Sequence, residues 1–198
     1  MAPNRITRSG ATLAAFLMVA ILAGCGGGSS STTTATEAAS TERSADGAIL
    51  DTVLSRQEAA VEAFAEVGPS LPPRLANMAA YFRAQEQEHV DAVLKALRGL
   101  KSPAEPSPEP LDTSGLKDTR ERLVFLYEVE SATIDEELSA ISRLEASWPR
   151  SLLASTVANQ AQHLVLLRSA LGAGQLDSIP VPFENGTAPP PEGTKPAE

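Results

Sequence analysis

The chain has 198 residues, of which 42% are apolar and 4% aromatic, with one cysteine and a formal charge of −9. A negative surface with few aromatics and no basic cluster offers neither phosphate neutralisation nor stacking platforms, which excludes nucleic acid as an expected partner. A lone cysteine excludes an intrachain disulfide framework.

At the N-terminus, Arg5 and Arg8 precede an apolar stretch over residues 11–23, too short to span a bilayer as a stable helix but suited to the core of a signal peptide. The stretch closes with Leu22-Ala23-Gly24-Cys25. This run resembles the lipobox of bacterial lipoproteins, in which small residues admit a peptidase to the bond before a lipid-modified cysteine. The resemblance implies that residues 1–24 are a lipoprotein signal peptide, that Cys25 carries lipid such as palmitate, and that the protein is anchored to the outer face of the bacterial cell membrane. Loss of residues 1–24 removes two arginines and no acid, leaving a charge of −11.

Residues 25–43 are rich in Gly, Ser and Thr, which bury little and read as a flexible tether with a reach of about 20 to 25 Å. The opposite end, residues 177–198, is Pro-rich and reads as a disordered tail. Residues 44–176 between them are the size of one domain with a single core.

Within that domain apolar residues recur at intervals of three and four, so the pattern is helical throughout. The first helix is expected over residues 44–67, with Leu50, Leu54, Val61 and Phe64 as its stripe and a stop at Gly68-Pro69. The second starts near Ser70, tolerates Pro72 and Pro73 in its first turn, carries Met78, Phe82, Val93 and Leu97, and ends near Arg98-Gly99. The third opens at Asp118, with Glu121 completing a capping box, and carries Tyr127, Ile134, Leu138 and Ile141. The fourth follows Ser147-Trp148-Pro149, with Trp148 as a packing residue, and carries Leu153, Val157, Leu164, Leu167 and Leu171 before Gly172. Two short loops and one long Pro- and Glu-rich connection over residues 100–117 give an up-down, crossover, up-down order.

Each stripe is interrupted by polar groups: Glu58 in the first helix, Glu86 and His89 in the second, Glu130 in the third, and Gln160 and His163 in the fourth. Glu86-Gln87-Glu88-His89 places a carboxylate and an imidazole at i and i+3, on one helical face, where both can reach one metal ion. Gln160-Ala161-Gln162-His163 repeats the spacing. Glu128 is the alternative to Glu130, but its register puts it off the core face. The run Asp135, Glu136 and Glu137 reads as a solvated face. Three carboxylates converging in a core are costly unless paired, and no stripe carries Lys or Arg, so a cation is the expected partner; shared protons are the metal-free solution.

These residues resemble the ferritin-like di-iron or di-manganese carboxylate proteins over essentially the whole domain. The resemblance implies an all-α, ferritin-like four-helix bundle with the long crossover between its second and third helices. That family takes one Glu from each of two helices and a Glu-x-x-His from each of the other two. Carried onto this chain, the metal ligands would be Glu58, Glu86, His89, Glu130, Gln160 and His163, with Gln160 standing where the family has Glu. An amide there removes one negative charge and weakens the site for hard cations.

The function so implied is a membrane-anchored domain that binds iron or manganese, with ferrous oxidation or the handling of oxidants as the accompanying chemistry. The competing reading is a metal-free structural or protein-interaction lipoprotein that keeps the bundle and has lost the complete site. Two such bundles pairing as a homodimer is compatible with either.

Overall fold

The computed structural model describes residues 31–174 and Ile179, with side chains from residue 45 onward. The expected signal peptide, Cys25 and, apart from Ile179, the expected Pro-rich tail lie outside the described residues. Four helices account for most of the described chain, without a strand among the described residues: α1 Ser31–Val67, α2 Pro73–Leu100, α3 Thr119–Arg143 and α4 Ser147–Ala170. A short 3-10 turn, Gly68–Ser70, joins the first two. Helix α1 packs extensively on α2 and on α3, and α3 on α4, while α2 and α4 touch sparsely. This is the expected four-helix bundle with its long crossover between α2 and α3. None of the described helices is long and apolar enough to cross a membrane.

The helix ends follow from their residues. Pro73 opens α2 at N1, where its missing N–H is not needed. Helix α2 closes at Lys101 in the left-handed region, φ 59°, with the Lys101 and Ser102 N–H groups returning to carbonyls of the last turn. Helix α3 opens with the expected capping box: Asp118 Oδ1 accepts from Glu121 N at 2.8 Å, and Glu121 Oε2 accepts from Asp118 N at 3.1 Å. No side chain of α4 caps its own start. Buried Asp46 of α1 does so instead, accepting from the N–H groups of Glu145 (2.9 Å) and Ala146 (3.0 Å). The crossover is fastened to α1 by Asp51 Oδ1, which accepts from Glu105 N at 2.7 Å, and by Ser55 Oγ, which accepts from Ser107 N at 2.9 Å. Its first residues pass so close to α1 that a Cβ at Gly47 would collide with the Ser102 side chain.

Helix α1 runs back to Ser31 through residues that the sequence assigns to the tether. Once the packed part of a helix exists, each further residue adds a hydrogen bond without a new nucleation cost, and Ala35, Glu37, Ala38 and Ala39 are good helix formers.

The core is two apolar clusters stacked along the bundle. One gathers Phe64, Leu71, Leu75, Phe82, Leu123, Leu126, Leu164, Leu167 and their neighbours. The other gathers Leu50, Val53, Leu54, Val90, Val93, Leu97, Leu144 and Leu153. Several stripe positions shift by one residue from the expected register. Val61, Met78, Ile141 and Val157 are only half-buried and Leu138 is exposed, while Ala60, Ala79, Ala140 and Thr156 point inward. Trp148 is 47% exposed, with its ring lying over Gly99.

Candidate metal centre

Between the two apolar clusters lies a polar layer contributed by all four helices. Gln57, Glu86, Glu130, Thr133, Glu137, Thr156, Gln160 and His163 are all buried there. Their positions are set by helical spacing: Glu86 with His89 and Gln160 with His163 lie three apart, and Glu130 with Glu137 lie two turns apart on one face of α3. No lysine or arginine is buried among the described residues, so His163 is the one buried side chain that can carry positive charge.

The structure brings Glu86, Glu130 and His163 together. Each offers one ligand atom, and the three atoms lie within 4.8 Å of one another. His163 Nδ1 is 2.8 Å from Glu130 Oε1 and 3.3 Å from Glu86 Oε1. Its other nitrogen, Nε2, is 2.7 Å from Gln85 Oε1, and Phe82 stacks on the ring with centroids 4.1 Å apart. Because a carbonyl oxygen only accepts, Gln85 fixes the hydrogen on Nε2, and Nδ1 is aimed at the carboxylates. The ring plane and the orientation of the imidazole are therefore both set before any ligand arrives.

His89 is held less tightly. It is half-buried on the edge of the layer, with Nδ1 3.4 Å from Glu86 Oε2. Gln160 is buried and donates from Nε2 to the same Glu86 oxygen at 3.0 Å.

Glu58 does not join this layer. It is half-buried, and its carboxyl is pushed up by burial and then by the nearby charge of Asp51. The neighbouring Gln57 takes the inward position on α1, because the stripe passes through Ala60 and Ala63 rather than Val61. Gln57 Nε2 donates to Glu137 Oε1 at 2.7 Å, and Thr156 Oγ1 donates to Glu137 Oε2. Glu137 is thus a buried acid rather than part of a solvated face, whereas its sequence neighbours Asp135 and Glu136 are half-buried. The large apolar residues do not point to Gln57, Gln85, Glu137 or Thr156. The one signal for Glu137 is its seven-residue separation from Glu130.

The electrostatics reflect crowding of charge out of water. Burial and then the charge of Glu86 push the Glu130 carboxyl up to about 8, against the opposing pull of His163. Burial pushes Glu137 up to about 7, although hydrogen bonds from Thr156 and Gln57 oppose it. For Glu86 burial acts upward as well, but the nearby His163 and His89 rings and the Gln160 amide overcome it and hold this carboxyl well below the usual range. Burial works against a charged His163, yet Glu130 and Glu86 raise it to about 9. Without a metal the layer is therefore a coupled group in which burial and neighbouring charge bias His163 toward the imidazolium and Glu130 and Glu137 toward the protonated form.

Four buried oxygens in the layer accept no hydrogen bond: Glu86 Oε1, Glu130 Oε2, Gln57 Oε1 and Gln160 Oε1. Buried acceptors without donors are costly, and a hard cation satisfies such oxygens directly. Two carboxylates, one imidazole and unpartnered oxygens are a donor set that fits a divalent iron or manganese ion.

Comparison with known proteins finds similarity in three dimensions. No family model matches the chain, and neither does any curated protein. Among solved structures, a ferritin-like, diiron-carboxylate protein of Bacillus anthracis str. Ames superposes with a TM-score of 0.60 at 16% identity, over 66% of this chain and 98% of that one. A conserved hypothetical protein of Mycobacterium tuberculosis, rv2844, superposes with a TM-score of 0.61 at 18% identity, over 67% and 94% of the two chains. At these identities the likeness establishes the fold, which is ferritin-like.

Proposed function

We propose that this chain is a lipid-anchored, ferritin-like domain that binds divalent iron or manganese in the bundle core, with Glu86, Glu130 and His163 as its ligands. The observation that carries the reading is the approach of three buried ligand atoms to within 4.8 Å of one another, from three different helices. The unpartnered oxygens of Glu86, Glu130 and Gln160 support it, as does the diiron-carboxylate description of the Bacillus anthracis neighbour. Bound iron would supply redox chemistry toward oxygen or oxidants. This chain's residues orient the imidazole, keep water away and give up the protons that the carboxylates and His163 hold in the metal-free state.

The reading is tested with the full chain extracted in detergent and stripped by chelator. Fe(II) under anaerobic conditions, or Mn(II), should raise the midpoint of thermal unfolding, because an ion that binds only the native state stabilises it. The effect should vanish in a Glu130→Gln, His163→Ala double variant. An unchanged midpoint in the wild type, together with metal content no higher than in the variant, overturns the proposal.

A specific observation favours the second reading, a metal-free bundle. Gln57 and Gln160 both donate to buried carboxylates, and His163 pairs with Glu86 and Glu130, so much of the layer is hydrogen-bonded without any ion. Under that reading the bundle serves as a structural or protein-interaction module.

Anchoring rests on the Leu22-Ala23-Gly24-Cys25 run and the single cysteine. The chain should partition with detergent in a phase-separation assay and move to the aqueous phase in a Cys25→Ser variant. Equal partitioning of the two would dispose of the anchor.

A further inference from the structure

We infer that the polar layer is built for one divalent ion per chain, held on the Glu130 and His163 side of Glu86, and that hydrogen bonds occupy the place of a second ion. The inference rests on the metal-binding reading above and sharpens it.

A two-ion carboxylate centre in such a bundle draws four carboxylates and two imidazoles from the helices. In this chain the inward position on α1 is Gln57 and the first position of the α4 pair is Gln160. Two ions bring four positive charges, and Glu86 with Glu130 supply two negative ones. Glu137 is the third buried acid, but each of its oxygens is already hydrogen-bonded, one to Gln57 Nε2 and the other to Thr156 Oγ1.

The Glu86 carboxylate shows the asymmetry atom by atom. Its Oε2 faces Gln160 Nε2 at 3.0 Å and His89 Nδ1 at 3.4 Å. An amide NH₂ cannot shed its protons near neutral pH, so that side presents positive hydrogens to an incoming cation. Its Oε1 accepts no hydrogen bond and lies 3.3 Å from His163 Nδ1, beside a Glu130 carboxylate whose Oε2 is also unpartnered. One oxygen of Glu86 accepts no hydrogen bond, and the other accepts from the Gln160 amide. His89 sits on the Gln160 side, half-buried at the rim.

The test uses the full chain in detergent, stripped and then titrated with Mn(II), followed by calorimetry, elemental analysis and electron paramagnetic resonance. The inference expects one ion per chain and the six-line spectrum of an isolated Mn(II). His89→Ala, at the rim, should leave affinity within about twofold, while His163→Ala should lower it at least a hundredfold. Two ions per chain, a spin-coupled spectrum, or a hundredfold loss in His89→Ala would each overturn the one-ion inference and leave the metal-binding reading standing. No ion in the wild type would overturn the metal-binding reading, and the inference with it. A Gln57→Glu, Gln160→Glu variant gives an independent arm: it should take up a second ion, and a stoichiometry unchanged in a folded variant, judged by its helical signal, would count against the donor argument.

Discussion

The two sides of the buried layer have the same depth and the same four helices around them, yet they are finished differently. On one side, Glu130, His163 and Glu86 Oε1 converge with oxygens that lack donors. On the other, each Glu137 oxygen is hydrogen-bonded, to Gln57 and to Thr156, and Glu86 Oε2 accepts from Gln160. The difference lies in a few side-chain groups rather than in the backbone. Where an amide stands in place of a carboxylate, its NH₂ donates to a neighbouring carboxylate, while the amide oxygens of Gln57 and Gln160 stay without a donor. A ferritin-like fold alone does not say how many ions its core would hold, so the one-ion inference rests on the donor and acceptor pattern.

Breaking the group common to both sides should have the largest effect. Glu86→Gln removes the carboxylate that His163 and Gln160 share, leaving a buried imidazolium with less compensation. Loss of one partner from a buried charge pair costs about 3 to 5 kcal/mol, so chemical denaturation of the metal-free protein should show a fall of that order. Metal-induced stabilisation should disappear in the same variant. A fall under about 1 kcal/mol would mean that Glu86 is not the hub of the layer.

Both sides contribute to a pH effect, and the Glu137 side is the simpler to isolate. Glu137 ionises at about 7 in the fold against 4.5 ordinarily, so between those values the native state holds a proton that the unfolded chain has released. Stability from this group is greatest below pH 4.5 and declines as pH rises to about 7, by about 3 kcal/mol in all. Glu130, raised to about 8, acts in the same direction over a slightly wider range. His163, raised to about 9, contributes stability that is full below 6.5 and lost as pH passes through 9. Denaturation of chelated protein across pH 4.5 to 7 should therefore show a slope that is shallower in Glu137→Gln, and equal slopes would refute the assignment.

The His163 side depends on orientation. Gln85→Ala removes the acceptor that holds Nε2–H of His163, freeing the imidazole to adopt the other tautomer. Loss of such an outer partner weakens metal binding about 10- to 100-fold, and the Mn(II) isotherm should show this with little change in helical content. Unchanged affinity would place the control of His163 in Phe82 stacking alone.

How much of this is readable from the sequence depends on side-chain size. The bundle, its crossover and the Asp118 capping box follow from apolar spacing and local turn chemistry, and Glu86, Glu130, Gln160 and His163 follow from large apolar neighbours on the same face. Helix α1 resists because alanines carry much of its inward face: Ala59, Ala60 and Ala63 are all buried, and a stripe drawn through Val61 rotates the face by one residue. A one-residue error on a helix is a turn of about 100°, enough to exchange Gln57 for Glu58. On α3 the same slip favours Leu138, which is exposed, over Glu137, which is buried. Small residues pack inside without announcing it in hydropathy, and a polar residue among them looks like surface.

That distinction carries the mildest prediction. Glu58 is half-buried beside Asp51 and has no place in the layer, so Glu58→Gln should change stability by no more than about 0.5 kcal/mol and should leave metal affinity within about twofold. Gln57→Ala, one residue earlier, strips the donor from buried Glu137 and should cost about 1 to 3 kcal/mol. Parallel denaturation of the two variants decides the register of α1 without any metal present. If Glu58→Gln proved the more damaging, and lowered Mn(II) affinity as well, α1 would have to be rotated by one residue and the carboxylate returned to the centre.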